Sequence, residues 1–211
     1  MGKPTGYTIT LVRTGQTDWD ESGRLIGGTD LPMNEQGEAL FREAVGSFVD
    51  SPDSPKISAV LTSTEDAAKK AAAILNHGQD ARVKEFEGFD NVGLGLWEGV
   101  LATELEDRCK TAYREWAESP MRITPPEGEV MTEAQRRLVS TLTKALAKTK
   151  GDHPTVAIVL RPLAWALLRA WITGSDSIDV WESLKTPIDV EIFELTADRL
   201  AMYAQSVRAS A

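Results

Sequence analysis

The chain has 211 residues, of which 42% are hydrophobic, and this is enough to bury the core of one domain without requiring a second. Its formal net charge is −9 and its isoelectric point is about 4.8. We therefore expect one domain and no nucleic-acid partner, because affinity for DNA or RNA rests largely on lysine and arginine side chains that neutralise phosphates.

The single cysteine and the lack of a long apolar segment indicate where the protein works. Cys109 cannot form an internal disulfide, and its surroundings, EDRCKTAYREW, are typical of an ordinary helix residue. No run of about 18 apolar residues follows a charged start, as a signal peptide or a membrane anchor would require. We expect a cytoplasmic protein that does not bind membranes.

Short apolar runs predict the strands of a sheet. Three of them are apolar on both faces, as in strands covered on two sides, and lie at residues 8–12, 58–61 and 155–160. Two alternating runs near the end of the chain, at residues 187–195 and 199–207, are separated by TADR. They predict a hairpin at a sheet edge, which would make the sheet mixed.

Helical patterns alternate with the strands. They lie at residues 35–49, 65–75 and 131–148. Asn34 is a favourable N-cap for the first, and Thr132 to Gln135 predicts a capping box in the third. The later segment PLAWALLRAWI begins with Pro162 at a good first helical position and is apolar nearly all round, which predicts a helix packed on the sheet. Alternating strands and helices indicate α/β layers.

The ends of the predicted strands indicate where a ligand would bind. Open α/β sheets bind ligands beyond the carboxyl ends of their strands, where helix N-termini direct backbone N–H groups at an anion. Three segments qualify: residues 13–15, residues 62–67, and Arg161 with Pro162. The order of elements alone therefore predicts an anion pocket with Arg13 and Arg161 as its charged members.

Six segments in chain order resemble the histidine phosphatase superfamily, the phosphoglycerate-mutase-like proteins. LVRTGQTDW is similar to the opening strand and Arg-His-Gly loop, and LPMNEQG to the start of the next helix. ISAVLTSTEDAAKKAAAIL resembles the strand, Ser-Ser turn and arginine-bearing helix, and FDNVGLGLWEG the acid-bearing segment before Gly-x-Trp-Glu-Gly. PPEGE resembles the Pro-x-Gly-Glu loop, and VAIVLRPLAWALL the final strand, Ser-His-Gly turn and helix. The resemblance implies a single three-layer α/β/α sandwich over residues 1–211, with a mostly parallel mixed central sheet and a lid or insertion over about 92–130.

This family transfers phosphoryl groups through a histidine nucleophile. A second histidine and two arginines hold the phosphoryl oxygens, and a carboxylate protonates the leaving oxygen. In this chain the first arginine is kept as Arg13, but the nucleophilic histidine matches Thr14 and the second histidine matches Arg161. The second arginine matches Ala67, and the acid matches Asn91. These four positions are therefore degenerate, and the resemblance implies a pseudoenzyme.

Replacements for the lost groups are scarce. His77 and His153 are the only histidines, and both fall outside the predicted pocket. The Thr14 hydroxyl would need an adjacent base to become a nucleophile. Asp20 is the nearest candidate by sequence, yet it would equally repel a phosphate dianion. We therefore expect the fold to be kept and the phosphohistidine reaction to be lost.

Two alternatives stay open for the pocket itself. It can bind a small phosphate ester or an inorganic anion, for which the candidate residues are Arg13, Thr14, Asp20, Thr62 and Arg161. It can instead be filled by an internal cluster of Arg13, Arg161 and Asp20, since two arginines that face one point repel each other unless a carboxylate or an anion joins them.

Two further functional readings come from other classes of protein. One hypothesis is a regulatory or interaction protein that acts as a homodimer or with a protein partner, since tryptophan is enriched at interfaces and the chain has six, although we expect most of them to serve packing. The other reading is a phosphatase or phosphomutase with altered, non-phosphohistidine chemistry. We expect no cofactor, because no His, Cys or Asp spacing resembles a metal-ligand set and GLGLWEG lacks the spacing of a dinucleotide-binding loop.

Overall fold

A five-stranded mixed sheet forms the centre of the fold in the computed structural model, which describes residues 4–174, 188 and 190–209. The strands are β1 (Gly6–Arg13), β2 (Ala59–Thr62), β3 (Arg82–Glu85), β4 (Thr155–Leu160) and β5 (Val190–Thr196). Their order across the sheet is β3-β2-β4-β1-β5. The first four are parallel, and β5 runs antiparallel to β1. The predicted mixed sheet is confirmed.

The helices cover both faces of this sheet. They are α1 (Asp18–Glu21), α2 (Glu35–Val49), α3 (Asp66–Leu75), α4 (Ala102–Arg108), α5 (Lys110–Glu118), α6 (Met131–Leu146), α7 (Pro162–Thr173) and α8 (Ala197–Ala209). Short 3₁₀ turns occur at Glu87–Phe89, Gly95–Trp97 and Pro120–Arg122. Among the helices described here, none is long and apolar enough to cross a membrane.

Alternation along the central strands separates two hydrophobic layers. In β1, Ile9 and Leu11 point into the layer that contains the apolar faces of α6 and α7, whereas Val12 points into the layer that contains α2 and α3. Phe41 of α2 is fully buried in that second layer, and burying a side chain of this kind contributes roughly 1.5–3 kcal/mol. The result is the expected three-layer α/β/α sandwich.

Two local predictions are wrong. Residues 199–207 do not form the second strand of a hairpin but belong to α8, in which Leu200 is buried and Tyr203 packs edge-on against Trp171, with ring centroids 5.6 Å apart. The capping box from Thr132 is absent, because α6 begins after Val130 and no side chain caps it. Position 187 of the predicted hairpin lies outside the described residues.

Most described tryptophans serve packing. Trp97 and Trp116 are buried and meet edge-on, with ring centroids 5.1 Å apart. Trp165 is buried on α7, and the guanidinium carbon of Arg169 lies 5.7 Å from its ring centroid. Trp181 lies outside the described residues. A tryptophan-bearing interaction surface stays a prediction.

Candidate functional site

The site lies where the three central parallel strands end. Arg13 is the register partner of Leu160, and Thr62 is the partner of Val159, so β1, β4 and β2 end side by side. The Thr14 amide extends this edge by donating to the Leu160 carbonyl at 2.9 Å. The segments that follow these strands are thereby brought together, as their order in the sequence predicts.

A close backbone approach fixes the loop that follows β1. A Cβ atom on Gly15 would lie 2.3 Å from the carbonyl oxygen of Gly37, and one on Gly37 would lie 2.2 Å from the carbonyl oxygen of Gln16. Both glycines are therefore needed for the first turn of α2 to rest on this loop. Asn34 caps that turn, as predicted, by accepting from the Gly37 amide at 2.8 Å.

Arg161 is the most unusual group in the site. It occupies the N-cap of α7, and its side chain is fully buried at 1% exposure. Its Nε and both terminal nitrogens have no hydrogen-bond partner within the described protein. A guanidinium carries five N–H donors, and burying it without partners costs several kcal/mol. Such a group is suited to an oxyanion, which would accept from several of these donors at once.

Arg13 and Thr14 lie beside this edge and are also buried, at 6% and 2% exposure. The Thr14 hydroxyl has no hydrogen-bond partner in the part of the chain that the structure describes. No described base is therefore positioned to take a proton from it. The hydroxyl remains able to donate to an oxyanion.

Glu65 is a member of the site that the sequence analysis missed. It is the N-cap residue of α3 and is only 5% exposed. Its Oε2 accepts from Ser63 Oγ at 2.9 Å and from the Asn91 amide at 3.0 Å, whereas Oε1 has no partner among the described residues. Burial raises the pKa of this carboxyl from 4.5 to about 7, although the field of Arg161 and the two hydrogen bonds lower it.

Asn91 connects the segment before the Trp97 turn to α7. Its Oδ1 accepts from the Ala164 amide at 3.0 Å, and its Nδ2 donates to the Gly27 carbonyl at 3.1 Å. With the bond from its own amide to Glu65, the residue is engaged on all sides. Asn91 therefore acts as a buried structural connector.

Arg137 of α6 fixes the backbone on either side of Asp90. Its guanidinium forms an ion pair with Glu129, with N–O distances of 2.9 and 2.7 Å. It also donates to the backbone oxygens of Gly88, Asp90 and Asn91. The position of Asn91 is thus fixed by backbone contacts as well as by its own side chain.

Glu98 joins the loop around Gly28 to the segment before Trp97. Its carboxylate accepts from the amides of Gly28 and Leu94 and from both the amide and the hydroxyl of Thr29. Partial burial raises the pKa of Glu98, but these hydrogen bonds outweigh burial and lower it below its ordinary value. The carboxylate that the sequence places after Trp97 therefore holds the glycine loop in place.

Two of the predicted anion-binding residues have other partners. Asp20 Oδ2 accepts from the Thr17 amide at 2.7 Å and from the Thr17 hydroxyl at 2.9 Å, which closes a capping box on α1. The Thr62 hydroxyl donates to the Val159 carbonyl at 3.2 Å within the sheet. The field of Arg161 acts on the carboxyl of Glu65, whose pKa it lowers.

The side chains that could replace the lost groups are engaged elsewhere. Ala67, which the resemblance matches to the family's second arginine, is fully buried in α3. Lys69 and Lys70, on the same helix, form ion pairs with Asp66 at 2.8 Å and with Glu38 at 3.6 Å. His77 is exposed, and His153 Nε2 lies 2.7 Å from a Glu194 oxygen at the surface. Within the described ranges, no group of three or more His, Cys, Asp or Glu side chains could hold a metal ion.

Fold and site together define a three-layer α/β domain with a group of buried polar side chains at the carboxyl ends of its parallel strands. The family model for the histidine phosphatase superfamily (branch 1) matches residues 9–206, and the chain belongs to this superfamily. The resemblance found in the sequence is confirmed.

Individual relatives agree with this assignment. The chain is 31% identical over 170 residues to the uncharacterized phosphatase PhoE of Bacillus subtilis, a match that spans 80% of this chain and 78% of that protein. It is 26% identical over 176 residues to a probable phosphoglycerate mutase, GpmB, of Cronobacter sakazakii, spanning 79% and 74% of the two chains. The solved structure of Bacillus stearothermophilus YhfR has a TM-score of 0.71 at 24% identity, covering 86% of this chain and 85% of that one, and so shares the fold.

Proposed function

We propose that this protein binds a phosphate ester or an inorganic oxyanion in its pocket and does not transfer phosphoryl groups through a histidine. The observation that carries the proposal is the buried Arg161, whose three nitrogens lack protein partners among the described residues. A buried cation of this kind is stabilised by an anion that accepts its hydrogen bonds. The Thr14 hydroxyl, which has no hydrogen-bond partner among the described residues, supplies a further donor at the neighbouring strand end.

The loss of the phosphohistidine step follows from the positions of the two histidines. Position 14 holds a threonine, and both histidines of the chain lie at the surface. A phosphoryl acceptor must reach the phosphorus in line with the leaving oxygen, and neither imidazole is in the pocket. Asn91 cannot give up a proton as the family's acid does.

Thermal unfolding with added anion tests this proposal. Phosphate, sulfate, vanadate and a panel of small phosphate esters would be titrated at constant ionic strength. A ligand at 100 times its dissociation constant should stabilise the folded state by about 2.7 kcal/mol. The shift should disappear in Arg161→Met and persist in Arg42→Met, which removes the same charge from an exposed position on α2. Equal shifts in the two variants, or none at millimolar anion, would contradict the proposal.

The second candidate is hydrolysis of a phosphate ester by altered chemistry. It is favoured by relatives that are named as phosphatases, and by Glu65, a buried carboxyl with a raised pKa that receives a hydrogen bond from the position of the family's acid. Turnover of phosphate monoesters by the wild-type protein and by Arg13→Ala distinguishes the two candidates. We expect no turnover above the Arg13→Ala background. Robust activity that this substitution abolishes would favour the second candidate.

A further inference from the structure

Glu65 and Arg161 begin two helices at neighbouring strand ends, and Asn91 links them. The Asn91 amide donates to Glu65 Oε2 at 3.0 Å. The Asn91 Oδ1 accepts from the amide of Ala164, in the first turn of α7, which begins at Arg161. A buried carboxyl and a buried guanidinium therefore share one polar region, and each retains an atom without a partner among the described residues.

We propose that the pocket takes up an oxyanion together with one proton, and that Glu65 holds this proton. The inference rests on the proposed function, because it concerns the ligand that Arg161 binds. It assigns to Glu65 the pH dependence of ligand binding.

The first reason is electrostatic. The electrostatic field of Arg161 reaches the Glu65 carboxylate, so an oxyanion bound to Arg161 would lie near that carboxylate. Two negative charges in a buried region repel each other strongly. A guanidinium keeps its charge throughout the accessible pH range, whereas a carboxyl can be neutralised. Uptake of a proton by Glu65 therefore removes the repulsion and leaves Arg161 available to the ligand.

The second reason is the pattern of hydrogen bonds at Glu65. Oε2 already accepts two hydrogen bonds, from the Ser63 hydroxyl and the Asn91 amide. Oε1 accepts none from the described residues. When protonated, Oε1 becomes an O–H donor, which is the group that an oxygen of phosphate or sulfate would accept from. The neutral carboxyl would thus join Arg161 as a donor to the same ligand.

The surroundings of Glu65 keep this protonation within reach. Two charged groups act on it: Arg161 at the start of α7, which lowers its pKa, and Asp90, which raises it. Asp90 is held in place by the amide and hydroxyl of Thr64. Burial outweighs both fields and places the pKa at about 7. A bound anion would raise the pKa further, so that protonation accompanies binding near neutral pH.

Calorimetric titration with inorganic sulfate between pH 5.5 and 8.5 tests the inference. Sulfate remains the dianion across this pH range, so any change in its affinity with pH reports on a titrating group of the protein. We expect the dissociation constant of the wild-type protein to rise about tenfold per pH unit above the pKa of Glu65, with uptake of close to one proton per sulfate. Proton uptake is read from the heats in buffers of different ionisation enthalpy.

Two variants separate the outcomes. Glu65→Gln mimics the neutral carboxyl and should bind sulfate with neither pH dependence nor proton uptake. Asp66→Asn, which removes an exposed carboxylate one residue away, should behave as wild type. Binding that is independent of pH in the wild-type protein, or equally dependent on pH in Glu65→Gln, would overturn this inference and leave the proposed function intact. If neither the wild-type protein nor Glu65→Gln binds sulfate at any pH, both this inference and the proposed function would be overturned.

Discussion

Replacing Arg161 by methionine should stabilise the protein while removing its anion binding. The guanidinium is 1% exposed and lacks hydrogen-bond partners within the described protein, so its burial is unfavourable without a ligand. Exchanging buried ionic groups for apolar side chains of similar size is often neutral or stabilising by about 1–4 kcal/mol. At pH 6, below the pKa of Glu65 near 7, most of that carboxyl is neutral and little charge is left behind.

We therefore expect the free energy of unfolding of Arg161→Met at pH 6, in anion-free buffer, to rise by about 1–3 kcal/mol. For a domain of this size the melting temperature should rise by about 2–4 °C per kcal/mol. Urea unfolding gives the free energy, and Arg42→Met should change it by less than about 0.5 kcal/mol, as exposed substitutions usually do. A loss of more than about 2 kcal/mol in Arg161→Met would refute the reasoning, because it would make Arg161 part of what holds the fold together.

Three further predictions concern the surroundings of the site and are tested by chemical denaturation. Asn91→Ala leaves the Ala164 amide and a backbone carbonyl buried without partners and should lower the unfolding free energy by about 2–4 kcal/mol; a loss below about 1 kcal/mol would contradict its connecting role. Gly37→Ala places a Cβ 2.2 Å from a backbone oxygen and should lower the unfolding free energy by more than about 2 kcal/mol. Its control, Gly46→Ala in the same helix, meets no atom within 4 Å and should raise the unfolding free energy by about 0.5–1 kcal/mol. Equal effects of the two substitutions would be inconsistent with the close backbone approach at Gly37. The folded state holds the Glu65 proton more tightly than the unfolded chain, so the unfolding free energy should fall by roughly 3 kcal/mol as the pH rises from 4.5 to about 7. Glu65→Gln should lack this fall. Parallel curves of unfolding free energy against pH for the two proteins would exclude the raised pKa of Glu65.

The sequence predicts the strands well where both of their faces are buried. The runs that became β1, β2 and β4 are apolar because both faces of these strands are covered. β3 was missed because it is an edge strand of mostly exposed residues, with the sequence RVKE. The last helix was mistaken for a strand because its apolar residues alternate, but those that contact the core, Leu200 and Tyr203, are three residues apart.

The candidate site illustrates a different limit. Arg13, Thr14 and Arg161 were predicted because each follows a strand directly, and the structure brings their segments to one edge. Glu65 also follows a strand, and the same rule applied to carboxylates would have flagged it. Its significance depends on burial beside Asn91 and Arg161, which are distant in sequence. Pairing of this kind cannot be read from local pattern.

The substitutions in the pocket make sense as a set. Asn91 is fully engaged in structural hydrogen bonds, because its backbone N–H donates to Glu65 while its side chain binds the backbone of Ala164 and Gly27. With asparagine there, the carboxyl at the strand ends comes from Glu65, and the cation opposite it comes from Arg161 instead of a histidine that would titrate. A permanent cation and a carboxyl that titrates near pH 7 suit reversible, pH-linked capture of an anion. This combination is what the proposed binding function requires, since the guanidinium supplies donors and the carboxyl supplies the pH dependence.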